Sequence, residues 1–175
     1  MTMALMDDSM NESAGVAPRK RRRPEPTPAQ RALGLLVRRE HSRKELALKL
    51  QARGIAAADA AAAVEKMTQA GWQDDVRFAC SLARIRAAAG YGPLHIRAQL
   101  GSHGLGVETI AAAFSALAES GEDDWLERAR ALVQRRFGVQ GALALPAQRK
   151  AADYLMRRGF NGDCVLAAIR ALPDD

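Results

Sequence analysis

Apolar residues in this chain recur at steps of three and four, the period of one helix face, and nowhere alternate long enough for a half-buried strand. The pattern also repeats on a larger scale. Three segments share Leu-x-x-x-Gly-apolar: Leu50 to Gly54-Ile55, Leu100 to Gly104-Leu105, and Leu155 to Gly159-Phe160, at spacings of 50 and then 55 residues. Six, ten and thirteen residues past each glycine stand Ala60, Val64 and Met67, then Ile110, Phe114 and Leu117, then Val165, Ile169 and Leu172. Offsets of four and three place each trio on one helical stripe. Gly71 and Gly121 follow the first two glycines by seventeen residues, each shortly before an acidic run. So many matched offsets mark an internal repeat.

Each repeat reads as three helices. In the first, a helix over 28–41 carries Leu33, Leu36 and Val37. Ser42 with Glu45 forms a capping box for the second, which Gly54 ends by taking a left-handed conformation, and a third spans 57–70. The second repeat predicts helices over 74–89, 93–103 and 107–119, capped by Asp74 or Asp75 and opened again by Gly92-Pro93. The third predicts 123–137, 146–158 and 162–172, with a loop from Gly138 to Leu145 absorbing the extra length. The expected fold is all-α: a tandem array of three three-helix repeats, elongated or curved, divided at 28–72, 73–121 and 122–175. Residues 1–27 are expected to form a disordered arm, since they hold few bulky apolar side chains and a Pro-rich stretch from Pro24 to Pro28.

Composition sharpens this picture. Of 175 residues, 36 are alanine and only 5% aromatic, so helix propensity is high while bulky packing is sparse. Cys80 and Cys164 are far apart and match no metal or redox spacing; they are expected to be buried thiols in a reducing compartment. No leader-like apolar region opens the chain and no uncharged run is long enough to span a bilayer, so a cytoplasmic monomer is expected.

Net charge is +6, which favours anionic partners. The excess sits in the arm run Arg19, Lys20, Arg21, Arg22, Arg23 and in residues 31–72, where eight basic side chains face four acidic ones. The arm run offers charge without shape, a candidate for non-specific DNA contact through counterion release. Arg77 and Arg84 stand seven residues apart beside the stripe Phe78, Leu82 and Ile85; Arg128 and Arg135 repeat that spacing beside Trp125, Ala129 and Leu132. These four arginines are candidate contacts for phosphate or acidic protein surface, competing with the plainer reading of a solvated helix edge. Lys150, Asp153 and Arg157 share a face and are expected to neutralise one another.

No catalytic constellation stands out. His41, His95 and His103 lack metal-ligand company, and Asp74-Asp75 and Asp123-Asp124 are explained by helix capping. Walker A, GxSxG and strand-linked GxGxxG patterns are missing from the sequence. No cofactor or metal is expected, and the chain reads as a non-enzyme.

One stretch carries a family resemblance. Residues 71–105 hold Gly71-Trp72, Asp74-Asp75, Arg77-Phe78-Ala79, Gly92, Ile96, Leu100 and Gly104-Leu105. This set resembles the central signature of the RecX regulatory family, and SRKELALKLQARGI (42–55) and KAADYLMRRGF (150–160) are similar to the family's first and third units. The resemblance covers about residues 30–172. It implies tandem three-helix units that bind the RecA nucleoprotein filament and inhibit its growth, ATPase and strand exchange, with single- or double-stranded DNA a further candidate partner. One departure is Ala98-Gln99, where a Glu before the Leu is common in the family, so a surface contact there is altered. Two other readings compete: a helix-turn-helix-like DNA-binding regulator, which would choose among duplex sequences, and a generic helical-repeat scaffold.

Overall fold

Most helices end at left-handed glycines in the computed structural model, which describes residues 25–141 and 145–170. All regular structure among the described residues is helical. The first unit holds α1 (Pro28–Leu36), α2 (Arg43–Gln51) and α3 (Ala57–Gln69). The second holds α4 (Asp75–Ala88), α5 (Pro93–Ser102) and α6 (Val107–Glu119); the third holds α7 (Trp125–Gly141), α8 (Leu145–Arg157) and α9 (Gly162–Arg170). The basic arm run Arg19, Lys20, Arg21, Arg22 and Arg23 lies outside the described residues, as does Leu172.

The starts follow local chemistry. Thr27 and Gln30 form a reciprocal capping box, with Thr27 Oγ1 accepting from the Gln30 amide at 3.2 Å and Gln30 Oε1 accepting from the Thr27 amide at 2.9 Å. Ser42 Oγ accepts from the Glu45 amide at 3.1 Å, but the Glu45 carboxylate turns to Arg39 and His41, so that expected box is only half formed. Asp74 caps α4, accepting from the amides of Val76 and Arg77 at 2.7 and 3.0 Å. Helix ends are as local. The amides of Ile55 and Phe160 reach back to the carbonyls of Leu50 and Leu155 at 3.3 and 3.2 Å, closing Schellman turns around the left-handed Gly54 and Gly159.

Three expectations need correction. The first helix stops at Leu36 rather than near 41, which leaves Val37 75% exposed instead of on the apolar face. Residues 40 and 41 are drawn instead into polar contacts with the second unit. The expected break after Gly138 is present as a kink with φ 68°, ψ 173° inside α7, and residues 142–144 lie outside the described set. Cys80 and Cys164 are free but half-buried rather than buried, and burial together with nearby Asp124 raises the Cys164 thiol pKa.

Each unit encloses its own apolar cluster. Leu46, Leu50, Ala60 and Val64 centre the first; Phe78, Ile96, Leu100 and Leu117 the second; Val133, Leu155, Phe160 and Val165 the third. The repeated leucines Leu50, Leu100 and Leu155 are fully buried, each worth about 1.5–3 kcal/mol of transfer free energy. Trp125 touches the clusters of both the second and third units. Extensive helix packing is confined to pairs within one unit, so the units form a tandem array that meets through turns and helix ends.

Candidate interaction surface

The two junctions between units are built at equivalent repeat positions. Ser42 precedes Gly92 by 50 residues and His103 precedes Arg158 by 55, the two repeat spacings. At the first junction Ser42 Oγ lies 3.1 Å from His103 Nδ1 and Lys44 Nζ donates to the Ser102 carbonyl at 2.9 Å. At the second, the Gly92 amide donates to the Arg158 carbonyl at 2.7 Å and the Leu94 amide to the Gly159 carbonyl at 3.0 Å. In both, the start of a unit's middle helix meets the end of the next unit's middle helix. At these matched positions side chains bridge the first junction and backbone amides the second.

Further polar contacts lock the first junction. Asp75, beside the capping Asp74, accepts from the Arg43 amide at 2.9 Å and so serves the start of α2. Buried Gln73 donates to the His41 carbonyl at 3.2 Å and to Asp75 at 2.9 Å. His41 itself is buried, with Nδ1 3.1 Å from Glu45 Oε2, close but poorly aligned for a hydrogen bond. Burial holds the His41 pKa below its ordinary value, the neighbouring carboxylate offsetting only part of that. For Glu45 burial pushes upward, yet contacts from Arg39 and His41 outweigh it and the pKa falls.

The four candidate arginines lie along the two junctions. Arg77 is exposed on α4, pairs with Glu40 of the first unit and donates to the Trp72 carbonyl at 2.9 Å. Its pKa is raised, chiefly by the Glu40 contact. Arg84 pairs with Glu122 before α7 at 2.9 Å, and that contact lowers the Glu122 pKa. Arg128 is half-buried and donates to the carbonyls of Glu122 at 2.9 Å and Ala87 at 3.2 Å. Arg135 is exposed on α7. With Arg128 it flanks a notch of about 220 Å³ floored by Ala87, Ala88, Gly90 and Leu132. The spacing thus marks a helix edge, while three of its arginines already hold units together. Such exposed ion pairs leave the guanidinium partly open to water and are individually weak.

Sequence reasoning passed over Arg158, whose Nη1 donates to the Ala89 carbonyl at 2.8 Å at the end of α4. With Arg128 on Ala87, two cations of the third unit serve one helix C-terminus, where the dipole favours positive charge. Gln99, the position of the family departure, accepts from Arg86 Nε at 2.7 Å and so orients an arginine beside the first junction. A second groove of about 360 Å³ opens there, over Phe78, Leu82 and Ile85, with Ile85 57% exposed. His95 stacks on Tyr91 at 4.2 Å and His103 meets Phe78 at 4.8 Å, so two histidines act in packing. Among the described residues no group of three His, Cys, Asp or Glu could hold a metal ion. No described helix is long and apolar enough to cross a membrane.

Comparison with known proteins places this arrangement. Family models match in chain order: the first three-helix domain of RecX over residues 30–67, the second over 74–113 and the third over 122–169. A protein of Stenotrophomonas maltophilia (strain R551-3), named Regulatory protein RecX, is 62% identical over 157 residues, 90% of this chain and 94% of that one. Its namesake in Xanthomonas oryzae pv. oryzae (strain MAFF 311018) is 58% identical over 164 residues, covering 94% of this chain and all of that one. The crystal structure of RecX from Lactobacillus salivarius shares the fold, with TM-score 0.66 and 22% identity over 83% of this chain and 94% of that chain.

Proposed function

The chain belongs to the RecX family, and from that membership we propose that it binds the RecA nucleoprotein filament and inhibits its growth, ATPase and strand exchange. The observation that carries this reading is the ordered match to all three family domains, together with relatives named as regulatory proteins. Physical support comes from the architecture. An array of units joined at equivalent positions offers contacts at a repeating interval, which suits a partner that is itself a repeating polymer. We divide the array at 28–72, 73–121 and 122–175, and place the contact along the edge bearing Arg77, Arg84, Arg128 and Arg135. Arginine keeps its charge and can fork to carboxylate or phosphate. The protein acts by binding, in the cytoplasm, without chemistry of its own.

The test is the ATPase rate of RecA on single-stranded DNA, with the protein titrated in. A dose-dependent fall is expected. An unchanged rate at protein equimolar with RecA would overturn the proposal.

A further inference from the structure

Three arginines outside that edge lie in one row with three aromatic rings. The guanidinium carbon of Arg86 is 5.8 Å from the Tyr91 ring centre, and that of Arg158 is 5.0 Å from the same ring and 5.2 Å from Tyr154. Arg136 continues the row, 4.6 Å from Tyr154 and 5.9 Å from Phe137. The row runs from α4 across the turn into α5, then over α8 to α7, and so crosses the second junction. Among the described residues no carboxylate pairs with Arg86, Arg136 or Arg158. Their described hydrogen bonds are to neutral groups: Gln99 for Arg86, and the Ala89 and Gly90 carbonyls for Arg158. Among the described residues this is concentrated positive charge without a paired carboxylate.

We propose that this arginine–aromatic row is a contact for the phosphodiester backbone of single-stranded DNA, indifferent to base sequence. The rings hold the guanidinium groups in place, so less side-chain freedom is lost when an anion binds. Ring faces are already used: Tyr91 carries His95 as well as two arginines, and Tyr154 lies between Arg136 and Arg158. They leave little platform on which a base could stack, so charge rather than base identity is read. A flexible single strand can bring its phosphates to cations fixed by the fold, whereas a duplex presents them at set positions. An acidic protein is the poorer fit, because protein interfaces are anchored on open apolar side chains and deplete charge at their centre. The inference is independent of the RecA reading, since its probe is bare DNA.

The test measures anisotropy of a labelled oligothymidylate and a labelled mixed-sequence strand over a salt series. It uses the full chain with Arg19, Lys20, Arg21, Arg22 and Arg23 replaced by Gln, so that arm charge does not mask the row. Arg86→Gln with Arg136→Gln should weaken binding of both strands roughly tenfold at physiological salt and make the logarithmic salt slope shallower by about 1.4, at about 0.7 per phosphate. Arg158 is left intact because it serves the end of α4. Arg86→Lys with Arg136→Lys should recover most of the slope, which a purely structural role would not produce. Should the double Gln variant melt early, Arg136→Gln alone, at an exposed position, decides through a slope change of about 0.7. Unchanged affinity and slope would overturn the proposal. So would a loss confined to duplex DNA, or one seen only towards polyglutamate.

Discussion

Gly92 and Gly159 pass each other with no room for a side chain between them. A Cβ on Gly92 would overlap the Gly159 carbonyl, and one on Gly159 would overlap the His95 backbone. That closeness lets the Gly92 and Leu94 amides bond across the junction at 2.7 and 3.0 Å. Gly92→Ala should therefore force the second and third units apart and cost about 1–3 kcal/mol, the usual range for overpacking. Chemical denaturation checks this. The control is Gly101→Ala, where a Cβ meets nothing within 4 Å on an ordinary helical backbone, and which should not destabilise.

Gly104 separates backbone strain from crowding. Its φ is 77°, and an added Cβ would approach only the flexible Lys44 side chain, at 3.5 Å. Gly104→Val should cost on the order of 1–2 kcal/mol through conformation alone, because a β-branched residue is strained in the left-handed region. A melting midpoint equal to that of wild type would show that the turn relaxes.

Features set by neighbours in sequence were legible, and features set by distant partners were not. Glycine stops and the Leu50, Leu100 and Leu155 stripes are local, so the repeat could be read directly from spacing. The end of α1 could not, because it depends on Gln73 and Arg77, more than thirty residues away, drawing residues 40 and 41 into the junction. Adjacent aspartates likewise part company: Asp74 caps its own helix and Asp75 serves α2. The seven-residue arginine spacing located an exposed edge, but its acceptors, Glu40, Glu122 and the Ala87 carbonyl, come from other segments. The Arg86–Tyr91–Arg158–Tyr154–Arg136 row joins three helices and two turns and leaves no trace in local periodicity.

Acid should weaken the first junction. His41 has a folded pKa below its ordinary value of 6.5, so the unfolded chain binds more protons once pH falls through that value. Stability from neutral His41 is therefore complete well above pH 6.5 and declines below it until the folded pKa is passed. Glu45, also depressed, adds a second loss that begins near its ordinary 4.5 and completes below its folded pKa. Melting temperature should thus fall between pH 7 and 5, and His41→Gln should flatten that limb. An equally steep limb in the variant would move the proton uptake elsewhere.

The candidate arginines should divide into those that hold the units and those that meet a partner. Arg128→Ala removes a half-buried guanidinium from the carbonyls of Ala87 and Glu122 and should cost about 1–3 kcal/mol, so its effect on any activity is mixed with instability. Arg77→Ala and Arg84→Ala break exposed ion pairs and should each cost under about 1 kcal/mol. Arg135 is exposed at the mouth of the notch, and Arg135→Ala should leave melting within about 0.5 kcal/mol of wild type. If the proposed edge meets the RecA filament, Arg135→Ala should raise the concentration needed for half-inhibition of the RecA ATPase by roughly fivefold, the worth of about 1 kcal/mol. Removing Arg77, Arg84, Arg128 and Arg135 together should weaken inhibition further and reduce its salt dependence, with helical circular dichroism retained below the lowered melting point. Inhibition by the quadruple variant equal to wild type at physiological salt would leave this edge to solvent and direct the search to the second and third helices of each unit.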